Sequence, residues 1–462
     1  MSERPPSIAP ARPALPRDSG VGIIIRRKRG KGREVLLGKR SRRSRFLPGS
    51  WAFIGGSLEE QDEPHRPDAF ARCVSREVLE ETGIDVPPES WHEAGTRITP
   101  PIYSIRFDSR FFVAEVDEDV TLPSAPPRPE ELEELRFFPP GLALAEWDAG
   151  EMDLPPVLPP VLRILAESRK GGPVRLAEKI KEAHDLEEKT PRIECIPGVW
   201  MLALESRTLP PATHTNAWLV GGERFVIVDP GSDDPDEQRR LFDVVERRRS
   251  AGSEPDAVVL THHHADHTAG AVDTATRFEV PIKAHAATLE RLPAGAGERV
   301  ELQDGEKIDL AGESLEVLHT PGHASGHVAL YMPNREAAII GDLLSGQSTI
   351  LIDPEEGDMG AYIASLRRLS ELRCHALFPG HGVPLGPEAV EAAIEHRWGR
   401  ESGILAALSR GPRSLDDIAR EAYQDTPKIP ELLAQTQTSA HLAHLERKGA
   451  VSREGDAWQL VG

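Results

Sequence analysis

The sequence is nearly devoid of cysteine: Cys73, Cys195 and Cys374 are the only three in 462 residues. An odd, scattered set supports neither a disulfide framework nor a Cys-x-x-Cys metal site, and it fits a reducing compartment. Long apolar runs are missing as well. None approaches the length of a membrane span, and the Pro-rich, polar residues 1–20 contain no apolar core of a secretion signal. The expectation is a cytoplasmic protein whose residues 1–18 form a disordered lead-in. Positive charge is in short supply. Fifty-five Lys and Arg against 75 Asp and Glu leave a formal net charge of -20, which disfavours broad nonspecific binding to nucleic acid but allows a local basic groove. The length exceeds one ordinary core, so two or three domains are expected.

What the chain does have is histidine in one place. Thr261-His262-His263-His264-Ala265-Asp266-His267 packs four imidazoles and a carboxylate into seven residues, directly after the apolar run Ala257-Val258-Val259-Leu260. Such a run reads as a buried strand, which delivers the cluster to a loop at a sheet edge. Neutral imidazole suits zinc, and a carboxylate adds charge and a hard oxygen. His262 and His264, two apart, can point the same way, while Asp266 and His267 can turn to a second ion. Three later residues stand in similar settings: His323 in His319-Thr320-Pro321-Gly322-His323, Asp342 after Ala337-Ala338-Ile339-Ile340-Gly341, and His381 in Pro379-Gly380-His381-Gly382. Seven candidate ligands suffice for two metals with an open position.

In order and content these motifs resemble the metallo-beta-lactamase superfamily over about residues 191–398. The resemblance implies an αββα sandwich and a dinuclear zinc site. His262, His264 and His323 would hold one metal, Asp266, His267 and His381 the other, with Asp342 between. Asp229, in Val228-Asp229-Pro230-Gly231, would support a ligand from behind. Such a metal pair lowers the pKa of water and stabilises developing negative charge, with Asp266 as the catalytic orienting group.

A second motif lies upstream. In Arg76-Glu77-Val78-Leu79-Glu80-Glu81-Thr82-Gly83-Ile84, a helix would place Glu77, Glu80 and Glu81 on one face and stop at Gly83. Three like charges there repel unless a divalent cation offsets them, and hard oxygens suit magnesium or manganese. The string resembles the core of the Nudix box, with Gly55-Gly56 as its glycine start. The resemblance implies an α/β/α hydrolase of nucleoside diphosphates linked to another moiety, with Glu77 and Glu80 as catalytic residues and Glu77, Glu80 and Glu81 as metal ligands. The loop Glu59–Asp68 carries six extra residues relative to that box, so its upstream acid is open among Asp62, Glu63 and Asp68. The loop and the weak tail motif from Ala145 to Pro156 are similar to the branch that includes coenzyme A diphosphatases. The basic stretch Arg26–Arg45 reads either as solvated hairpin tips or as a collar for phosphates.

Beyond residue 400 the character changes. Helices are expected at Ile404–Leu408, Leu415–Ala422 and Leu432–Lys448, with Ser414 and Asp417 as a capping pair and a hairpin over Val451–Leu460. Three helices and a hairpin make a winged helix. Its third helix carries Gln435, Gln437, Thr438, His441 and His444 and is not strongly basic, which favours packing or dimerisation over groove reading. The α/β organisation expected is thus a Nudix domain at 19–170, a connector at 171–190, a lactamase-fold domain at 191–398 and a winged helix at 399–462. The lactamase-plus-winged-helix half resembles the lactamase-beta-like endoribonucleases. Three functions are compatible with the residues: a bifunctional hydrolase acting on a nucleotide and on single-stranded RNA; a glyoxalase II-type thioester or acyl hydrolase beside a Nudix domain acting on coenzyme A-like substrates; or one enzyme regulated by nucleotide- and nucleic-acid-binding modules.

Overall fold

The computed structural model describes residues 12–461 apart from 31, 169–170, 190–191, 294–296 and 428. Most of the expected lead-in, residues 1–11, lies outside the described residues, and a strand already begins at Arg17. The chain divides into two compact units, Pro13–Trp200 and the part from Met201 onward. Among the described residues no helix is long and apolar enough to cross a membrane.

The first unit is built on a mixed sheet in the order Trp51–Ala52, Gly32–Arg40, Arg17–Lys28, Phe107–Val116, His92–Ile98; Ile54–Ser57 pairs with Arg17–Lys28, and Leu132–Phe138 with Gly32–Arg40. Successive strand residues alternate between faces. Ile24 therefore enters one core with Val74 and Val78 of the helix Ala69–Thr82, while Ile23 and Ile25 enter the other with Leu162 and Leu165 of Leu158–Glu167. The result is an α/β/α sandwich. Residues 171–190, expected as a polar, mostly helical connector, contain the helix Pro173–Lys189. Its Leu176, Ala177 and Ile180 are buried in that second core. Their spacing makes one narrow apolar face, hidden in the sequence by the charged residues around it.

The second unit begins with two sheets. One runs from Arg299–Glu301 through Ile282–Ala284, Glu254–Val259, Arg224–Val228 and His214–Gly221 to Val199–Glu205; the other runs Lys307–Asp309, Ser314–His319, Val328–Met332, Ala337–Gly341, Ala376–Pro379. Helices Pro235–Ser250 and Ala271–Phe278 flank the first, while Met359–Ser370 and Glu388–Leu408 pack on the second, giving the expected αββα order. The strands Glu254–Val259, Ser314–His319, Ala337–Gly341 and Ala376–Pro379 each run directly into one of the ligand-bearing loops.

The helix expected at Ile404–Leu408 is the end of a longer one, continuous over the 21 residues Glu388–Leu408. Gly399 and Gly403 inside it each cost about 1 kcal/mol relative to alanine, a loss offset by burial of Ile404 and Leu408. These two side chains join Ile418, Leu442, Leu445, Val451 and Trp458 in the core of a winged helix. Its helices are Leu415–Ala422 and Glu431–Arg447, and its small sheet is ordered Arg413–Ser414, Ala457–Leu460, Val451–Glu454. The third helix packs inward: Ala440 lies in the core beneath the second sheet, and Arg447 pairs with Asp358 at 2.7 Å.

Because Ile404 is fully buried where the long helix enters this core, Ile404→Ala should cost about 2–5 kcal/mol. Urea unfolding followed by circular dichroism checks this, and a loss under about 1 kcal/mol would show that the site collapses or that the helix end lies outside the core.

Candidate metal centres

A buried carboxylate fixes the histidine loop. Asp229 accepts hydrogen bonds from Thr261 N (2.8 Å), Thr261 Oγ1 (2.6 Å) and His267 Nδ1 (2.8 Å). Beyond this anchor, His262 Nε2, His264 Nδ1 and His323 Nε2 converge; the first and third lie 3.0 and 2.9 Å from the second. A second group forms beside it. His267 Nε2 is 3.3 Å from His381 Nε2, which is 3.4 Å from Asp266 Oδ2. Asp342 lies between the groups, with its oxygens 3.5 Å from His267 and His381 and 3.6 Å from His323. All seven candidate residues of this site are thus brought together. His263, the middle imidazole of the loop, turns away toward Glu356.

The nitrogens that face away from the cluster are held as well. His323 Nδ1 donates to Leu351 O (2.8 Å), His381 Nδ1 donates to His214 O (2.9 Å), and His264 Nε2 lies 3.1 Å from Glu356 Oε2. Such contacts set the tautomer and aim the free lone pair inward. Burial and the neighbouring imidazoles hold His262 well below the usual histidine range and His323 down to about 3, which keeps them neutral. Burial opposes charge on His381 too, yet Asp342 and Asp266 outweigh it and raise that ring to about 10. The residues fit a divalent cation. Imidazole nitrogens confront one another at hydrogen-bond distance, and Asp342 Oδ1 is buried with no hydrogen-bond partner. Both are satisfied by a positive ion among them.

The upstream box builds a different site. Glu77 and Glu81 are buried and line a cavity with Gly55, Gly56, Glu131, Arg40, Arg97 and Arg128. Glu80 does not line it. That side chain is turned to Arg128 and, at 3.5 Å, to Arg76. The shared face expected for three glutamates holds for positions i and i+4, about 40° apart around a helix, whereas Glu80 and Glu81 are about 100° apart. Burial, then Glu77 and Glu131, push the Glu81 carboxyl up to about 9, so the crowded acids suit a cation. Among the described residues, however, the tight three-ligand groupings all fall in the histidine cluster. A more open set of oxygens suits an ion that keeps several of its waters. Of the three acids left open upstream, Asp62 is the one that joins the box. It is 2% exposed and takes Arg76 in two hydrogen bonds of 2.9 Å. A methyl group on Gly56 would lie 2.2 Å from Glu77 Oε1, so a larger residue there would displace that carboxylate.

Residues 210–381 match the model of the metallo-beta-lactamase superfamily, 16–155 that of the NUDIX domain, and 414–458 that of the beta-lactamase-associated winged helix domain. The chain is a fusion of these three domains. The Beta-lactamase-like protein 2 homolog of Caenorhabditis elegans is 28% identical over 247 residues, 51% of this chain and 80% of that protein. The hydroxyacylglutathione hydrolase of Acidiphilium cryptum is 38% identical over 167 residues, 36% of this chain and 62% of that enzyme. A beta-lactamase domain protein from Burkholderia ambifaria superposes with a TM-score of 0.53 at 20% identity, over 59% of this chain and 94% of its own, a likeness of fold alone. The lactamase and Nudix domains indicate a metal-dependent hydrolase with divalent-metal binding.

Sequence reasoning missed Glu356 behind the lactamase-domain loop, and Glu131, Arg97 and Arg128 in the Nudix cavity. No spacing rule connects them to either motif, because they arrive from distant segments. The basic stretch is divided: Arg40 lines the Nudix cavity, whereas Arg26 is paired with Glu34 and Arg33 donates to Leu165 O.

If Glu77 is the metal-facing acid and Glu80 is held at the edge, Glu77→Gln should lower diphosphate cleavage by orders of magnitude. Glu80→Gln should lower it far less. Kinetics of the full-length variants with magnesium check this, and equal losses would contradict the placement of Glu80.

Proposed function

We propose that the chain is a two-centre hydrolase. Its lactamase domain, holding two zinc ions, cleaves a thioester or related acyl bond. Its Nudix domain, with magnesium or manganese, cleaves a nucleoside diphosphate linked to another moiety. The nitrogen-rich donors His262, His264, His267, His323 and His381, with Asp266 and Asp342, suit zinc; the all-oxygen donors Glu77 and Glu81 suit magnesium or manganese. When bound, a zinc pair supplies water activation and stabilisation of negative charge.

The observation that carries the acyl reading is the cavity above the histidine cluster, about 270 Å³ in volume. His264, Asp266, His323, Asp342 and His381 form its floor. Leu209, Pro210, Ile350 and Leu351 wall it from the lactamase domain, and Tyr423, Ile429 and Leu433 wall it from the winged helix. Among the described residues two arginines line it, and Arg400 is committed to Asp425 (2.7 Å), Thr426 (3.0 Å) and the Ala422 carbonyl. A run of phosphates asks for more free cations than this, whereas an apolar acyl chain is well matched by these walls. The residues then divide the work. The apolar walls orient the acyl chain and exclude water. Asp266, whose carboxyl is held ionised despite burial by its hydrogen bond to His381, orients the attacking water as an acceptor of its hydrogen bond. The hydroxyacylglutathione hydrolase among the relatives is named for cleavage of an acylated glutathione, which supports the same bond type. A coenzyme A-like thioester contains both bonds that the two domains would cleave. The endoribonuclease alternative shares the metal chemistry and differs only in what the wall accepts.

The test is the full chain loaded with zinc and magnesium, assayed on acyl thioesters, coenzyme A, ADP-ribose and single-stranded RNA. Thioester cleavage should be abolished by Asp342→Ala, and diphosphate cleavage should survive that change. Metal-dependent RNA cleavage without thioester cleavage would replace the acyl reading by the nuclease one.

A further inference from the structure

A metal-binding histidine works only if its far nitrogen is held. For His323 the holder is the Leu351 carbonyl, at 2.8 Å from Nδ1. Leu351 belongs to a stretch, residues 344–353, that forms neither strand nor helix, so no ladder fixes the orientation of its peptide. The C-terminal part of the chain does so instead. The Leu351 carbonyl and the Ile352 N–H are the two ends of one planar peptide unit. The Ile352 N–H donates to Gln437 Oε1 at 3.0 Å. Gln437 sits on the third helix of the winged helix and is 5% exposed. The preceding peptide is gripped as well: Arg397 Nη2 donates to Ile350 O at 2.5 Å, and its guanidinium lies 4.9 Å over the Tyr362 ring.

We propose that Gln437 is a positioning residue for His323, and that through it the winged helix sets metal affinity at the His262/His264/His323 group. The proposal rests on that group holding a metal and not on which substrate is cleaved. A continuous chain of hydrogen bonds runs from the His323 ring through one peptide to the glutamine. Because the peptide is planar, the acceptor on one side fixes where the carbonyl points on the other. Polarisation along the chain also strengthens the His323 contact. The winged helix is thereby part of the metal centre, in addition to lining its cavity.

The test uses the full chain loaded with zinc, with the affinity of each metal measured by chelator competition and the site's geometry read from the visible spectrum after cobalt substitution. Gln437→Met keeps the volume and removes the acceptor. One of the two metals should then bind about 10- to 100-fold more weakly with a changed cobalt spectrum, while the other stays within about twofold. Gln437→Glu keeps an acceptor oxygen and should restore affinity to within about threefold. Arg447→Ala loosens the same helix at Asp358 without touching the peptide, and should leave both affinities unchanged. Should Gln437→Met fail to fold, Gln437→Ala is read in the same way. Native affinities and spectrum in the acceptor-less variant, or an equal fall of both metals in it and in Arg447→Ala, would overturn the proposal. A wild-type chain that binds no metal would instead end the metal reading itself.

Discussion

Five imidazoles and two carboxylates converge with neighbouring ligand atoms between 2.9 and 3.6 Å apart, and the rest of the lactamase domain is arranged around that crowding. Nitrogen lone pairs and carboxylate oxygens repel at such distances unless positive charge lies among them. The fold holds the groups together from outside. Asp229 grips the loop through Thr261 and His267, and the carbonyls of Leu351 and His214 fix His323 and His381. Backbone is packed up to the cluster as well, since a methyl group at Gly231 would lie 1.7 Å from the Asp266 carbonyl and one at Gly380 would lie 2.6 Å from Asp342 Oδ1. A side chain at Gly231 would thus clash with backbone, and one at Gly380 would displace the Asp342 carboxylate or the His267 ring.

The lactamase-type cluster was legible because its ligands follow short apolar strands, and strand-then-ligand order survives in the linear sequence. The Nudix helix was legible from Arg76 to Gly83 for a similar reason, since a helix and its glycine stop are local features. What could not be read was direction and distant company. Whether Glu80 turns into the cavity depends on Arg128, which lies on another segment, and the choice of Asp62 over Glu63 and Asp68 depends on its burial against Arg76. The helix Pro173–Lys189 read as a connector because three apolar residues among charges do not announce a face. The segment Ile404–Leu408 read as a helix of its own, whereas burial of Ile404 and Leu408 carries the long helix through Gly399 and Gly403.

The winged helix takes on a role that its sequence left open. Its third helix is turned inward, with Ala440 in the lactamase core and Gln437 on a loop peptide, so the helix that could have read a groove is used for packing. The loop before it carries Tyr423 and Ile429 to the cavity, which Leu433 on that helix also lines. The candidate metal centre and part of its cavity wall thus come from separate stretches of one compact unit, and the wall is the element free to vary with substrate.

The central claim is that the histidine cluster holds two metals in separate three-ligand groups with one shared carboxylate. Crystals of the full chain grown with zinc, measured at the zinc absorption edge, test it directly. Two anomalous peaks about 4 Å apart are expected, one among His262, His264 and His323, the other among Asp266, His267 and His381, with Asp342 between them. A single peak, or none within this cluster at saturating zinc, would contradict the account.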